Sequence, residues 1–138
     1  MRFTDRRLHI LPIILLCLLP MLGHASGDDA PKTYPGYIEL KPAIIVNLAS
    51  TRRSQYLKID IQCLVETAEE AELLEHNMPL VRDRLISLLG GRSADQMQTT
   101  QQRDDLRAEL LADLRDSLLR TTGRGVISAI YFTGFIIQ

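Results

Sequence analysis

The side chains able to do chemistry are few and scattered. Beyond the apolar start of the chain lie a single histidine, His76, set between Glu75 and Asn77, and a single cysteine, Cys63. One imidazole and one thiol cannot supply the four-ligand set of a zinc site. His76 reads as a helix-surface histidine rather than a ligand or base. Cys63 falls on the inward parity of a strand, where a free cysteine acts as a small hydrophobe. A reactive thiol would need a positive, partly exposed setting. Carboxylates are plentiful at Glu69, Glu70, Glu72, Asp104, Asp105 and Asp113. They fall on the polar faces of predicted helices, with Arg82, Arg103, Arg107 and Arg115 as helix-spaced neighbours. Paired acid and base chemistry needs one of them buried enough to shift its pKa. No glycine-rich phosphate loop, Ser-His-Asp set or histidine-rich metal motif occurs, and Gly123-Arg124-Gly125 reads as a turn. A small hydrolase or redox protein built on His76, Cys63 or a carboxylate is thus the weaker expectation. The stronger one has no catalytic residue, cofactor or metal, and a function that lies in surfaces.

The elements that must carry those surfaces follow from periodicity. From Tyr37 to Leu48 the residues Ile38, Leu40, Ile44, Val46 and Leu48 share one parity, a strand pattern that Pro42 interrupts and so confines to an edge or bulge. Tyr56 to Glu66 alternates, with Leu57, Ile59, Ile61, Cys63 and Val65 facing one way and Lys58, Asp60, Gln62 and Glu66 the other. Such a strand is half solvated, and the two runs form an antiparallel hairpin. Thr67 followed by Glu70 is a capping-box signature for a helix carrying Leu74, Met78, Val81, Leu85 and Leu88. Pro79 predicts a kink near Asn77, and Gly90-Gly91 the stop. Ser93 and Gln96 repeat the capping pattern for a short turn around Met97. A second amphipathic helix over 101–119 carries Leu106, Leu110, Leu111, Leu114 and Leu118, and residues 121–125 close it. Val126 to Gln138 has apolar residues on both parities and reads as a strand buried on both faces, at the sheet centre or in a subunit contact. The predicted class is α+β: a small antiparallel sheet, made of the N-terminal hairpin plus the C-terminal strand, packed on two amphipathic helices in the order β-β-α-α-β. One layer of two helices covers only one face of such a sheet.

The start of the chain reads as an address. Arg2, Arg6 and Arg7 precede an apolar run from Ile10 to Leu22 that ends in Gly23-His24-Ala25-Ser26, the layout of an export signal cut between Ala25 and Ser26. Spanning a bilayer takes about 20 apolar residues, and Pro12 and Pro20 weaken this run as a helix. The expected organisation is a signal peptide or short membrane segment at 1–25, a flexible tether at 26–36 and one domain at 37–138. Cleavage would take Arg2, Arg6, Arg7 and Asp5 away, moving the net charge from −1 to −3, a balance that argues against a nucleic-acid partner. It would also remove Cys17, leaving Cys63 without an internal disulfide partner.

A longer series carries a family likeness. Tyr37, Pro42, Asn47-Leu48, Tyr56-Leu57-Lys58, Pro79-Leu80-Val81-Arg82-Asp83, Leu88-Leu89, Leu106 and the ending Tyr131-Phe132-Thr133-Gly134-Phe135-Ile136-Ile137-Gln138 together resemble the flagellar basal-body protein FliL family. The resemblance implies a non-enzymatic periplasmic domain similar to the stomatin-type (SPFH, band-7) fold, at the periplasmic face of the bacterial inner membrane. It implies self-association into a ring around the MotA/MotB stator, supporting rotation, swimming or swarming. The interaction candidates it marks are Asn47, Tyr56, Pro79, Arg82, Asp83, Phe132, Thr133, Phe135 and Gln138. Arg82 and Asp83 would serve contacts between subunits or stand as an exposed pair worth under about 1 kcal/mol. Family members usually carry a cytoplasmic stretch and a long transmembrane helix before this domain, whereas here a short run with a processing-like end precedes it. Membrane association through the N-terminal segment is then expected only if that segment is retained. The alternative reading is a periplasmic adaptor or assembly factor that uses the same scaffold away from the motor.

Overall fold

The computed structural model of the protein describes residues 32–50 and 53–138. The expected export segment, with its Ala25-Ser26 processing site, lies outside the described residues, as does most of the tether. The elements run β1 (Gly36–Glu39), β2 (Ile44–Leu48), β3 (Gln55–Val65), α1 (Ala68–His76), α2 (Met78–Leu89), a short 3₁₀ turn (Ala94–Met97), α3 (Thr100–Thr122) and β4 (Ala129–Ile137). The architecture is the expected α+β one, an antiparallel sheet on a layer of helices.

β3 organises the sheet. β1 pairs with it from Gly36 opposite Val65 to Glu39 opposite Gln62, and β2 from Ile44 opposite Ile59 to Leu48 opposite Gln55. β4 pairs along Leu57 to Leu64. A strand has two edges, so β1 and β2 lie in line along one and β4 along the other. The N-terminal run is therefore a single edge strand broken around Pro42, as its proline predicts. Leu57, Ile59, Ile61, Cys63 and Val65 are completely buried beneath the sheet, each such aliphatic stabilising by roughly 1.5–3 kcal/mol relative to exposure.

The helices begin and end where their caps require. Thr67 Oγ1 accepts the Glu70 backbone N–H at 3.2 Å, and the Glu70 carboxylate accepts the N–H of Glu66 at 2.8 Å, so the expected box closes one residue early. The predicted kink is a break between two helices. At Asn77 both the backbone N–H (3.1 Å) and the side-chain Nδ2 (2.8 Å) donate to the Leu73 carbonyl, and Pro79 then falls in the first turn of α2, where its missing N–H has no partner to lose. Val81, Leu85 and Leu89 are fully buried, whereas Leu88 is only half-buried; the break rotates the apolar stripe off the position expected from one continuous helix. The box at Ser93 and Gln96 is present, and Met97 is fully buried. α3 opens on a further box, Thr99 with Gln102, buries Leu106, Leu110, Leu114 and Leu118, and ends at Gly123, whose φ of 78° suits glycine.

The last strand departs most from expectation. It starts at Ala129, because Val126 and Ile127 are both buried and no strand turns two successive side chains inward. A tight turn achieves it: the Ile127 N–H donates to the Gly125 carbonyl at 2.6 Å, with Val126 at φ 56°, a strained setting for a β-branched residue. β4 is not the sheet centre but an edge, and it is not buried on both faces. Gly134 lies opposite Asp60 and Phe132 opposite Ile61, so Thr133 is an unpaired bulge that inverts the parity. Ile130 and Phe132 before the bulge, and Phe135 and Ile137 after it, all face the helices. Gly134 lets the Asp60 carboxylate lie against the bulge, in the space a Cβ would take.

Candidate interaction face and edge

The helices cover one face of the sheet, and among the described residues nothing covers the other, which is called the open face below. Among the described residues seven large apolar or aromatic side chains are exposed, and five of them, Tyr37, Ile45, Tyr56, Tyr131 and Ile136, belong to this open face. They are 38–62% exposed. Tyr37 on β1 and Tyr131 on β4 meet edge to face across β3, ring centroids 5.8 Å apart. Such pairs contribute about 0.5–1.5 kcal/mol and fix the rings in place. Lys58, Asp60 and Gln62 stand between them, so the face is a mixed apolar and charged surface of the kind that docks protein rather than a pocket that holds a small ligand.

The interaction candidates separate into groups. Asn47 pairs with Tyr56, and Tyr56 exchanges backbone hydrogen bonds with Gln138 at 2.7 and 3.0 Å. Asn47, Tyr56 and Gln138, distant in sequence, thus form one exposed row across the end of the sheet. Phe132 and Phe135 face the helices, half-buried, their ring centroids 5.8 Å apart, and the Arg103 guanidinium lies 4.8 Å above the Phe135 ring. Thr133 is exposed at the bulge. Among the described residues no carboxylate pairs with Arg82; its Nη1 donates to the Pro42 carbonyl at 2.7 Å and ties α2 to the break between β1 and β2. Pro79 and Asp83 are exposed on α2, apart from the row.

The charged residues of the helices are mostly clamps. Arg84, not singled out by spacing, makes a two-pronged bond to Asp113 (Nε to Oδ2 2.9 Å, Nη2 to Oδ1 2.5 Å) that joins α2 to α3. Those hydrogen bonds, and then the guanidinium charge, hold the Asp113 carboxyl below its ordinary range against the opposing effect of burial. Arg92 pairs with Glu109, and Arg124 with Glu69 at 2.8 Å. Of the arginines expected to have helix-spaced partners, Arg107 has one, Asp104, at 3.0 Å. Arg103 instead donates to the Met97 carbonyl at 3.0 Å. Burial pushes the Cys63 thiol up to about 12, which keeps it protonated and unreactive at neutral pH. Among the described residues no group of His, Cys, Asp and Glu side chains is placed to hold a metal ion, and no helix is long and apolar enough to cross a membrane.

Reading the sequence alone passed over Ile45, Tyr131 and Ile136 as surface residues. The signal for Ile45 was present, an apolar residue on the outward parity of its strand. For Tyr131 and Ile136 the bulge at Thr133 hid it, because parity counted straight through the strand puts them on opposite faces.

The same stretch that builds both faces carries the family signal. Residues 37–138 match the family described as flagellar basal body-associated protein FliL. The flagellar protein FliL of Aquifex aeolicus (strain VF5) is 28% identical over 113 residues, which span 79% of this chain and 68% of the relative. The family match runs from the second residue of β1 to the last residue of the chain and so takes in the sheet, its helical layer and the open face together: the chain belongs to the flagellar basal body-associated FliL family.

Proposed function

We propose that this chain is a structural component of the flagellar motor that self-associates around the stator on the periplasmic side of the inner membrane and supports rotation. Membership of the family carries the association with the flagellar basal body. The stator, the ring-like assembly and the periplasmic placement are this reading's further steps. The observation that carries it is the open face, where Tyr37, Ile45, Tyr56, Tyr131 and Ile136 are gathered on one side of a sheet whose other side is a closed core. Docking on such a face acts mechanically. Domains that bind the engaged stator more tightly than the idle one shift its population toward the engaged state, by as much as the two affinities differ.

The test uses cells that make this chain. Exchange of Ile45 and Tyr131 for serine should leave the protein level unchanged, reduce swimming and reduce the number of stator units retained at each motor. Normal swimming and normal stator occupancy in that double variant, with the protein present, would remove the open face from motor function. Normal swimming after deletion of the gene would remove the motor role itself.

A further inference from the structure

The end of the sheet where β2 turns into β3 differs from the middle of the open face. A hollow of about 320 Å³ lies there, lined by Asn47, Arg53, Ser54, Gln55 and Tyr56 among others. The exposed row continues it: Asn47 pairs with Tyr56, and Tyr56 with Gln138, so a tyrosine ring stands between two carboxamides. Three other hollows of comparable size each hold an ion pair within their own lining, Lys32 with Glu75, Arg92 with Glu109 and Asp104 with Arg107. Arg53 is different. The Ser50 hydroxyl accepts its backbone N–H at 3.3 Å, while its side chain is exposed and, among the described residues, has no carboxylate or carbonyl partner. The hollow therefore holds an unmatched cation beside an exposed ring and free carboxamides.

We propose that this hollow and row bind a glycan of N-acetylated sugars that carries carboxylates, the chemistry of peptidoglycan. Each part of such a ligand has a counterpart. The C–H face of a sugar ring stacks on an exposed aromatic ring, and Tyr56, 42% exposed, offers one with a hydroxyl at its rim. An acetamido group has one donor and one acceptor, and a carboxamide such as that of Asn47, Gln55 or Gln138 answers both. A carboxylate takes the two-pronged bond of a guanidinium, here that of Arg53. Arg53 is the single cation lining the hollow among the described residues, whereas a phosphate polymer draws on several. The volume lies at the lower limit for small-ligand sites, which suits one sugar unit seated in the hollow with the strand running out along the row. β3 carries the row roughly 30 Å from its Val65 end, where β1 brings in the first described residues, so a bound strand is clear of the start of the domain. The choice of peptidoglycan among glycans of this chemistry rests on the periplasmic placement proposed above; the chemistry of the site does not.

The probe is peptidoglycan sacculi, stripped of protein and lipid, mixed with the full-length chain and sedimented. The chain should pellet with the sacculi and stay in solution without them, and soluble disaccharide-peptides cut from the same sacculi should compete. Tyr56→Ala and Asn47→Ala should each weaken binding about ten-fold, as the loss of one good contact does, and Tyr56→Phe far less, because the ring face is kept. Arg53→Gln should weaken binding of the disaccharide-peptides and leave binding of neutral N-acetylglucosamine oligomers unchanged. A chain that does not pellet with sacculi, or one whose binding survives both alanine changes, would overturn the site. So would displacement by heparin with loss in Arg53→Gln alone, which would mark attraction of charge without recognition of sugar. Equal losses for both soluble ligands in Arg53→Gln would overturn the carboxylate assignment. Asn47 and Arg53 are exposed, so their variants keep the test decisive if Tyr56→Ala does not fold. Sedimentation reads binding without motility, so a failure here leaves the motor reading standing, and a failure of that reading in swimming cells leaves this one.

Discussion

β3 divides the molecule into two surfaces with one sequence alternation. Its inward residues, Leu57 to Val65 in steps of two, share one core with the leucines of the helices and are fully buried. Its outward residues, Lys58, Asp60 and Gln62, lie among tyrosines and isoleucines that no described helix covers. Both faces carry apolar side chains, yet only the inward ones are closed over, so stability resides on one side and recognition on the other. Apolar character alone does not mark a core residue; the presence of a second layer does.

Substitutions can break that division, and the largest effect is expected in the covered face. Leu110→Ala, at a completely buried site, should cost about 2–5 kcal/mol in denaturant unfolding, through lost transfer energy and the cavity left behind. Cys63→Ser should cost about 1–3 kcal/mol, because a hydroxyl replaces a buried thiol with no partner provided. The native thiol should resist alkylation until the protein unfolds. Smaller again is the clamp between the helices. The Asp113 pKa is depressed in the folded state, so its contribution is present above the ordinary carboxylate pKa of about 3.9 and is lost as pH falls through the lower, folded value. Asp113→Asn should therefore lower thermal stability slightly at neutral pH and flatten the acid side of the stability profile. The smallest change in stability belongs to the open face. Ile45→Ser should shift unfolding by no more than about 0.5 kcal/mol while reducing swimming, the reverse of the pattern in Leu110→Ala. If Ile45→Ser destabilises as strongly as a core change, the open face is part of the core and the division is lost.

Much of this fold was legible in advance because it rests on local rules. The alternation of β3, the leucine stripe of α3, the caps at Thr67 and Ser93 and the stops at Gly90 and Gly123 each involve residues within a few positions of one another. The pattern of β4 is not legible in this way, because it obeys a rule that is not local. The extra residue at Thr133 is tolerated where Gly134 lets Asp60 approach closely, and nothing within the strand announces that contact. The candidate site was legible only in pieces. Asn47, Tyr56 and Gln138 could be marked singly through the family likeness, but their meeting in one row depends on the pairing of three strands. Arg82 looked like half of a helix-surface pair, and its partner is a backbone carbonyl made available by a proline forty positions earlier.

By itself the sequence determined the element types, the α+β class and the scarcity of catalytic side chains, since composition and short-range periodicity express these directly. Only the tertiary structure decided that β3 is central and β4 an edge, and that the apolar surface lies on one face. Those features depend on which strands pair and in what register. Register is a balance of contacts summed over the whole sheet, and a one-residue bulge is enough to invert it.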